Sequence, residues 1–121
     1  MRQMKVIVLF LCMSSLLSAC MPAKNKYHWG SYESLILDMY VKPGSADPVT
    51  QVAQLTADIQ QADSLGKPVP PGIFAHLGFM YAMQNNIEQA EASFHQEKSL
   101  YPESSEFLDG MMKRAREVKA Q

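Results

Sequence analysis

The sequence predicts an all-α protein, a short array of about five amphipathic helices following a cleaved leader. Apolar residues recur at three- and four-residue spacing almost without a break from residue 27 onward. No stretch alternates at period two with β-branched enrichment, and Pro and Gly fall where helices need punctuation. At 121 residues there is room for one small core and no second domain.

Residues 1–19 read as an export leader. Arg2 and Lys5 supply the charged start and Val6 to Leu17 the apolar run, which is too short to cross a bilayer core needing about 20 apolar residues. The four residues Leu17-Ser18-Ala19-Cys20 resemble the lipobox of bacterial lipoproteins at every position. That resemblance implies cleavage before Cys20, which then carries a thioether diacylglycerol and an N-acyl chain. Each buried lipid CH₂ contributes about 0.8 kcal/mol, so two or three chains anchor where one is marginal. Met21, where many inner-membrane lipoproteins carry Asp, implies sorting to the outer membrane, with the domain facing the periplasm.

The chain has two cysteines, 11 basic and 12 acidic residues. Cys12 leaves with the leader and Cys20 is acylated, so the mature chain has neither a free thiol nor a disulfide. Without Arg2 and Lys5, the 11 basic residues fall to 9 against 12 acidic ones, a balance that argues against a nucleic-acid binder.

Residues 20–26 form a lipidated tether, and the domain spans 27–121. Ser31 is placed to cap a first helix presenting Tyr32, Leu35, Ile36, Met39 and Tyr40, stopped by Lys42-Pro43-Gly44. Asp47 caps the second, with Pro48 in its first turn and Val52, Leu55, Ile59 and Ala62 on one face, ending at Gly66. Lys67 to Gly72 holds three prolines and is an extended connector. A third helix carries Phe74, Leu77, Gly78 and Tyr81. Asn85-Asn86 makes a turn, and a fourth carries Ile87, Ala90, Phe94 and Leu100 up to Pro102. The fifth presents Phe107, Leu108, Met111, Met112 and Ala115 and closes in a basic run whose cations complement the helix dipole.

Residues 71–104 resemble one unit of a tetratricopeptide repeat, a helix-turn-helix of about 34 residues. Leu77 and Gly78 follow Phe74 by three and four. Tyr81 follows Gly78 by three, Ala90 follows Tyr81 by nine, Phe94 follows Ala90 by four and Pro102 follows Phe94 by eight. In such a unit Gly78 and Ala90 permit close helix approach while Phe74, Leu77, Tyr81 and Phe94 fill the seam. Glu97 stands where the family has a small Ala, which puts the packing of that turn against the next helix in question. One unit cannot bury both its faces, so the helices before and after it are expected to complete a short tetratricopeptide-like hairpin array.

Tyr27-x-Trp29-Gly30-x-Tyr32-Glu33, Pro70-Pro71-Gly72, Glu97-Lys98 and Pro102-Glu103-Ser104 together resemble a family of short bacterial outer-membrane lipoproteins of unknown function. Its members are typically encoded beside two other lipoproteins, one similar to the curli secretion channel. The resemblance implies an assembly with other envelope lipoproteins and brings no catalytic residues.

Enzymatic constellations are thin. His28, His76 and His95 form neither a zincin motif nor any pattern with a phosphate-cradling loop, so no catalytic or metal residue is expected. Glu91 and His95, one turn apart, have the spacing of an ordinary solvated helical pair. Tyr27, Trp29 and Tyr32 cluster just after the tether, where they suit a membrane interface, a partner hot spot, or stapling of the first helix to the second. On the third helix, Ala75, His76, Phe79, Ala82 and Met83 lie on the face a tetratricopeptide array turns to its concave side. Phe79 and Met83 there either pack on the preceding hairpin or floor a peptide groove. The expected function is therefore a non-enzymatic adaptor or scaffold in an outer-membrane secretion or assembly complex, binding partners through Phe79, Met83, His76 and Trp29. The alternative is a homo-oligomeric structural lipoprotein in which Phe79 and Met83 are buried between copies.

Overall fold

A computed structural model describes residues 25–119, together with residues 1, 3 and 4. The expected leader cleavage and lipidation at Cys20 lie outside the described residues. Among the described residues the domain is all-helical and has no strand: α1 (Tyr32–Val41), α2 (Pro48–Ser64), α3 (Ile73–Met83), α4 (Ile87–Leu100), a 3₁₀ turn (Pro102–Ser104) and α5 (Ser105–Lys119). Each helix packs on the next in the chain, so order in sequence is order in space, and α3 against α4 is the most extensive contact.

The boundaries follow from local chemistry. Asp47 Oδ1 accepts from Val49 N at 2.9 Å and Thr50 N at 3.1 Å, with Pro48 in the first turn, satisfying donors that a helix start leaves open. Gly66 adopts φ +60°; its N–H donates to Asp63 O and that of Lys67 to Ala62 O, each at 2.9 Å. This Schellman closure favours a residue without a Cβ. Asn85, at φ +59°, ends α3 the same way, its N–H donating to Ala82 O and that of Asn86 to Tyr81 O. Asn is the side chain best tolerated there after Gly.

The core has two parts, one on each side of α3. Leu35, Leu55, Ile73, Leu77 and Met80 form the first, with Phe74 and Tyr81 packed against it. Ala90, Phe94, Leu108 and Met112 form the second, against which Ala75, Tyr81 and Ala82 pack. A helix covered on two sides needs apolar residues around most of its circumference, and α3 has them. The two cores correct the expected seam: Phe74 and Leu77 pack toward α1 and α2, while the α3–α4 contact is made where Gly78 meets Phe94 and Ala90. A Cβ built on Gly78 would lie 2.6 Å from Phe94 Cε1 and 3.0 Å from Ala90 O, so only glycine permits this approach.

Several expected faces are narrower than their periodicity suggests. In α1 only Leu35 is buried; Tyr32 and Ile36 are half-buried, Met39 is exposed and Tyr40 is 82% exposed. This helix meets α2 over a small area and reaches α3 only through side chains such as Leu35 and Tyr32, so it buries one edge. Leu100 and Phe107 are likewise exposed, because the 3₁₀ turn between them carries the chain around the outside of the second core.

Two polar expectations also change. Ser31 occupies the start of α1, but its side chain caps nothing; both its N and its Oγ donate to Asp58 Oδ2 on α2, each at 2.9 Å. Glu97, expected to disturb packing, is 0% exposed and accepts from Gly72 N at 2.6 Å and Ala75 N at 3.3 Å. Gly72, at the head of α3, has no side chain with which to cap it. The Glu97 carboxylate on α4 does so instead, placing an acceptor and negative charge against the positive end of the neighbouring helix.

Candidate functional site

The central position of α3 decides which of its side chains remain available. Its two core-facing sides are filled, and between them Phe79 is 46% and Met83 58% exposed. Packing on the preceding hairpin therefore does not cover them. Gln84 Nε2 donates to Pro48 O at 3.2 Å, fixing the end of α3 against the start of α2, where Val49 is also exposed.

His76 lies one turn before Phe79 but points into the protein. Gln51, buried on α2, donates through Nε2 to Ala46 O at 2.6 Å, which leaves its Oε1 as the acceptor facing His76 Nε2 at 2.8 Å. The imidazole proton therefore sits on Nε2, and Nδ1 accepts from the Tyr32 hydroxyl at 3.4 Å. Burial holds the His76 pKa below the usual imidazole value and raises that of the Tyr32 phenol. Both ring nitrogens are engaged within the chain, so a partner would meet the edge of this ring and not its nitrogens. The Tyr32 and His76 rings stand edge to face at 5.7 Å, and Trp29 lies 6.0 Å beyond Tyr32.

Trp29 is 40% exposed and, with Tyr32, Glu33 and Ile36, lines an open apolar hollow beside α1. The structure thus joins Trp29 to His76 through Tyr32, whereas Phe79 and Met83 belong to the exposed face of α3. Behind Trp29, His28 N donates to Pro68 O at 3.5 Å and the Tyr101 hydroxyl donates to Val69 O. These bonds hold the segment before α1, the proline connector and the end of α4 together.

Sequence pattern overlooked Gln51 and Asp58, and it took Glu97 for a disturbance of packing where the structure makes it a cap. Gln51 falls one turn before Leu55 on the buried stripe of α2, and Glu97 falls one turn after Ser93 and Phe94 on that of α4. A polar residue on an apolar stripe is the signal that could have marked both. Glu91, paired by spacing with His95, instead accepts from Arg116 Nε of α5 at 2.6 Å, and His95 is exposed. Among the described residues no three His, Cys, Asp or Glu side chains converge as a metal site would need, and no helix is long and apolar enough to cross a membrane.

Residues 26–111, from just before the aromatic cluster to the middle of α5, match the family model of a domain of unknown function, DUF4810. The chain belongs to the DUF4810 family. No curated protein and no solved structure matches it. The matched span takes in all of α1–α4, the buried Gln51–His76–Tyr32 chain, Glu97 and the exposed face of α3, so these features lie within the DUF4810 domain itself.

Proposed function

We propose that this DUF4810 protein is a lipid-anchored component of the bacterial outer membrane, facing the periplasm, that acts without catalysis as an adaptor in a secretion or assembly complex. In this account Cys20 carries the lipid, residues 21–26 are the tether, and the helices form a tetratricopeptide-like array that binds a segment of another envelope lipoprotein along α3. The observation that carries it is the exposure of Phe79 and Met83 on the one helix whose other sides are filled. Large apolar side chains standing together on a rigid central helix are what a docked peptide or helix covers. The leader pattern ending at Cys20 supports the anchor, and the Gly78–Phe94 approach supports the tetratricopeptide likeness.

The test is a crosslinked pull-down of the tagged full chain from membranes, beside Cys20→Ala and Phe79→Asp/Met83→Asp variants. An adaptor recovers a defined set of envelope proteins that is lost in both variants, and mass spectrometry finds the acyl groups on Cys20. Recovery of the protein alone, crosslinked to itself through α3, overturns the adaptor account in favour of a homo-oligomer.

A further inference from the structure

The two ends of the array differ in what they show to the surroundings. A terminal helix of a stacked array normally turns a polar face outward. The last helix, α5, does so with Glu106, Lys113, Arg114 and Glu117, with Phe107 the one large apolar side chain it leaves exposed among its described side chains. The first, α1, turns out Leu37, Tyr40 and Val41, which stand one helical turn apart on the side away from Leu35 and are all exposed. Exposed Trp29 precedes the helix, and the apolar hollow beside Glu33 and Ile36 leads from it toward that face.

We propose that this outer face of α1 docks on the lipid surface, with Trp29 and Tyr40 at headgroup depth and Leu37 and Val41 dipping toward the acyl chains. The proposal rests on the anchored account given above. Residue composition fits a bilayer interface, where Trp and Tyr seat an apolar body beneath a polar edge. Charge does not oppose it: Lys26 before the face and Lys42 after it, the latter paired with Asp38 at 3.2 Å, balance Glu33 and Asp38. Chain length carries the rest. Trp29 comes nine positions after Cys20, a span of at most about 30 Å when fully extended, so an acylated Cys20 confines this face, the first element after the tether, close to the surface. At the high effective concentration a short tether imposes, a weak apolar contact is enough to hold the domain down. Docked this way, the protein would have a fixed orientation on its membrane instead of swinging on a flexible lead.

The experiment uses the full chain purified from membranes and reconstituted into phosphatidylethanolamine vesicles containing phosphatidylglycerol, with and without brominated lipid. Trp29 is the single tryptophan, so its emission reports this face alone. Docking predicts emission shifted to the blue on vesicles and quenched by bromine. Both changes are lost in Leu37→Glu/Val41→Glu, a variant of two exposed positions that keeps its helical circular dichroism and still floats with the vesicles. Emission indifferent to bromine, in protein that floats with the vesicles, overturns the docking and leaves the anchor standing. Failure to float, with unmodified Cys20 by mass spectrometry, overturns the anchor instead; the docking then stands if excess vesicles still quench Trp29 and falls if they do not. A blue shift that grows with protein concentration and ignores bromine also overturns it, in favour of a second copy of the chain.

Discussion

The α3–α4 hairpin and the α1–α2 hairpin are built from helices of similar kind and held by different means. In the first, a glycine lets Phe94 approach the α3 backbone and a buried carboxylate on one helix caps the start of the other. In the second, apolar contact is slight, and α1 is fastened by polar hooks, Ser31 to Asp58 and Tyr32 through His76 to Gln51. Interlocked packing concentrates stability in the middle of the chain, while hooks position an element that contributes little core of its own.

The sharpest break in this contrast is Phe94→Ala, which should have the largest effect. It empties the middle of the second core and should lower stability by about 3–5 kcal/mol, read as a fall in the urea midpoint with the whole domain unfolding together. Glu97→Ala should come next, at about 2–3 kcal/mol, because it strands two backbone donors out of reach of water; Glu97→Gln, which keeps one acceptor, should recover part of that loss. Asp58→Ala should cost about 1 kcal/mol. Hydrogen exchange should show that loss confined to α1, and faster exchange in α3 and α4 as well would erase the distinction between the hairpins.

The smallest effect should be a pH dependence. Because the folded pKa of His76 lies below the usual value of 6.5, the unfolded chain binds this proton more readily than the folded one. The contribution is therefore complete above pH 6.5 and declines as pH falls from there through the folded pKa. Urea midpoints of the natural chain and of His76→Phe, measured across that range, should converge toward the acid end. Parallel curves would mean that the imidazole does not hold α1 in the way its bonds indicate.

How much of this was legible in the sequence divides along the same line. Small-against-large packing has a fixed spacing, so Gly78, Ala90 and Phe94 could be read as a close helix contact, and Asp47, Gly66 and Asn85 announced their helix ends because turn and cap chemistry is local. The hooks are not periodic. Asp58 and Ser31 lie 27 positions apart, and nothing in either neighbourhood says they meet; Glu97 read as a misfit because its acceptors' partners, Gly72 and Ala75, come from a different helix. The exposed side of α1 escaped for the opposite reason: its apolar residues are periodic, but period alone does not say whether a neighbour exists to cover them. For the candidate site, helical spacing placed Phe79 and Met83 on one face of α3, whereas the inward turn of His76 depended on Gln51, whose buried position no local pattern revealed.

The succession of helices, each resting on the one before it in the chain, also bears on how fast the structure forms. Contacts between sequence neighbours close short loops, and proteins dominated by them fold in microseconds to milliseconds. The distant bonds, such as that from Tyr101 to the Val69 carbonyl 32 positions away, join elements that are brought close once adjacent helices have paired. A chain organised in this way can assemble progressively from one end, without waiting for its termini to find each other.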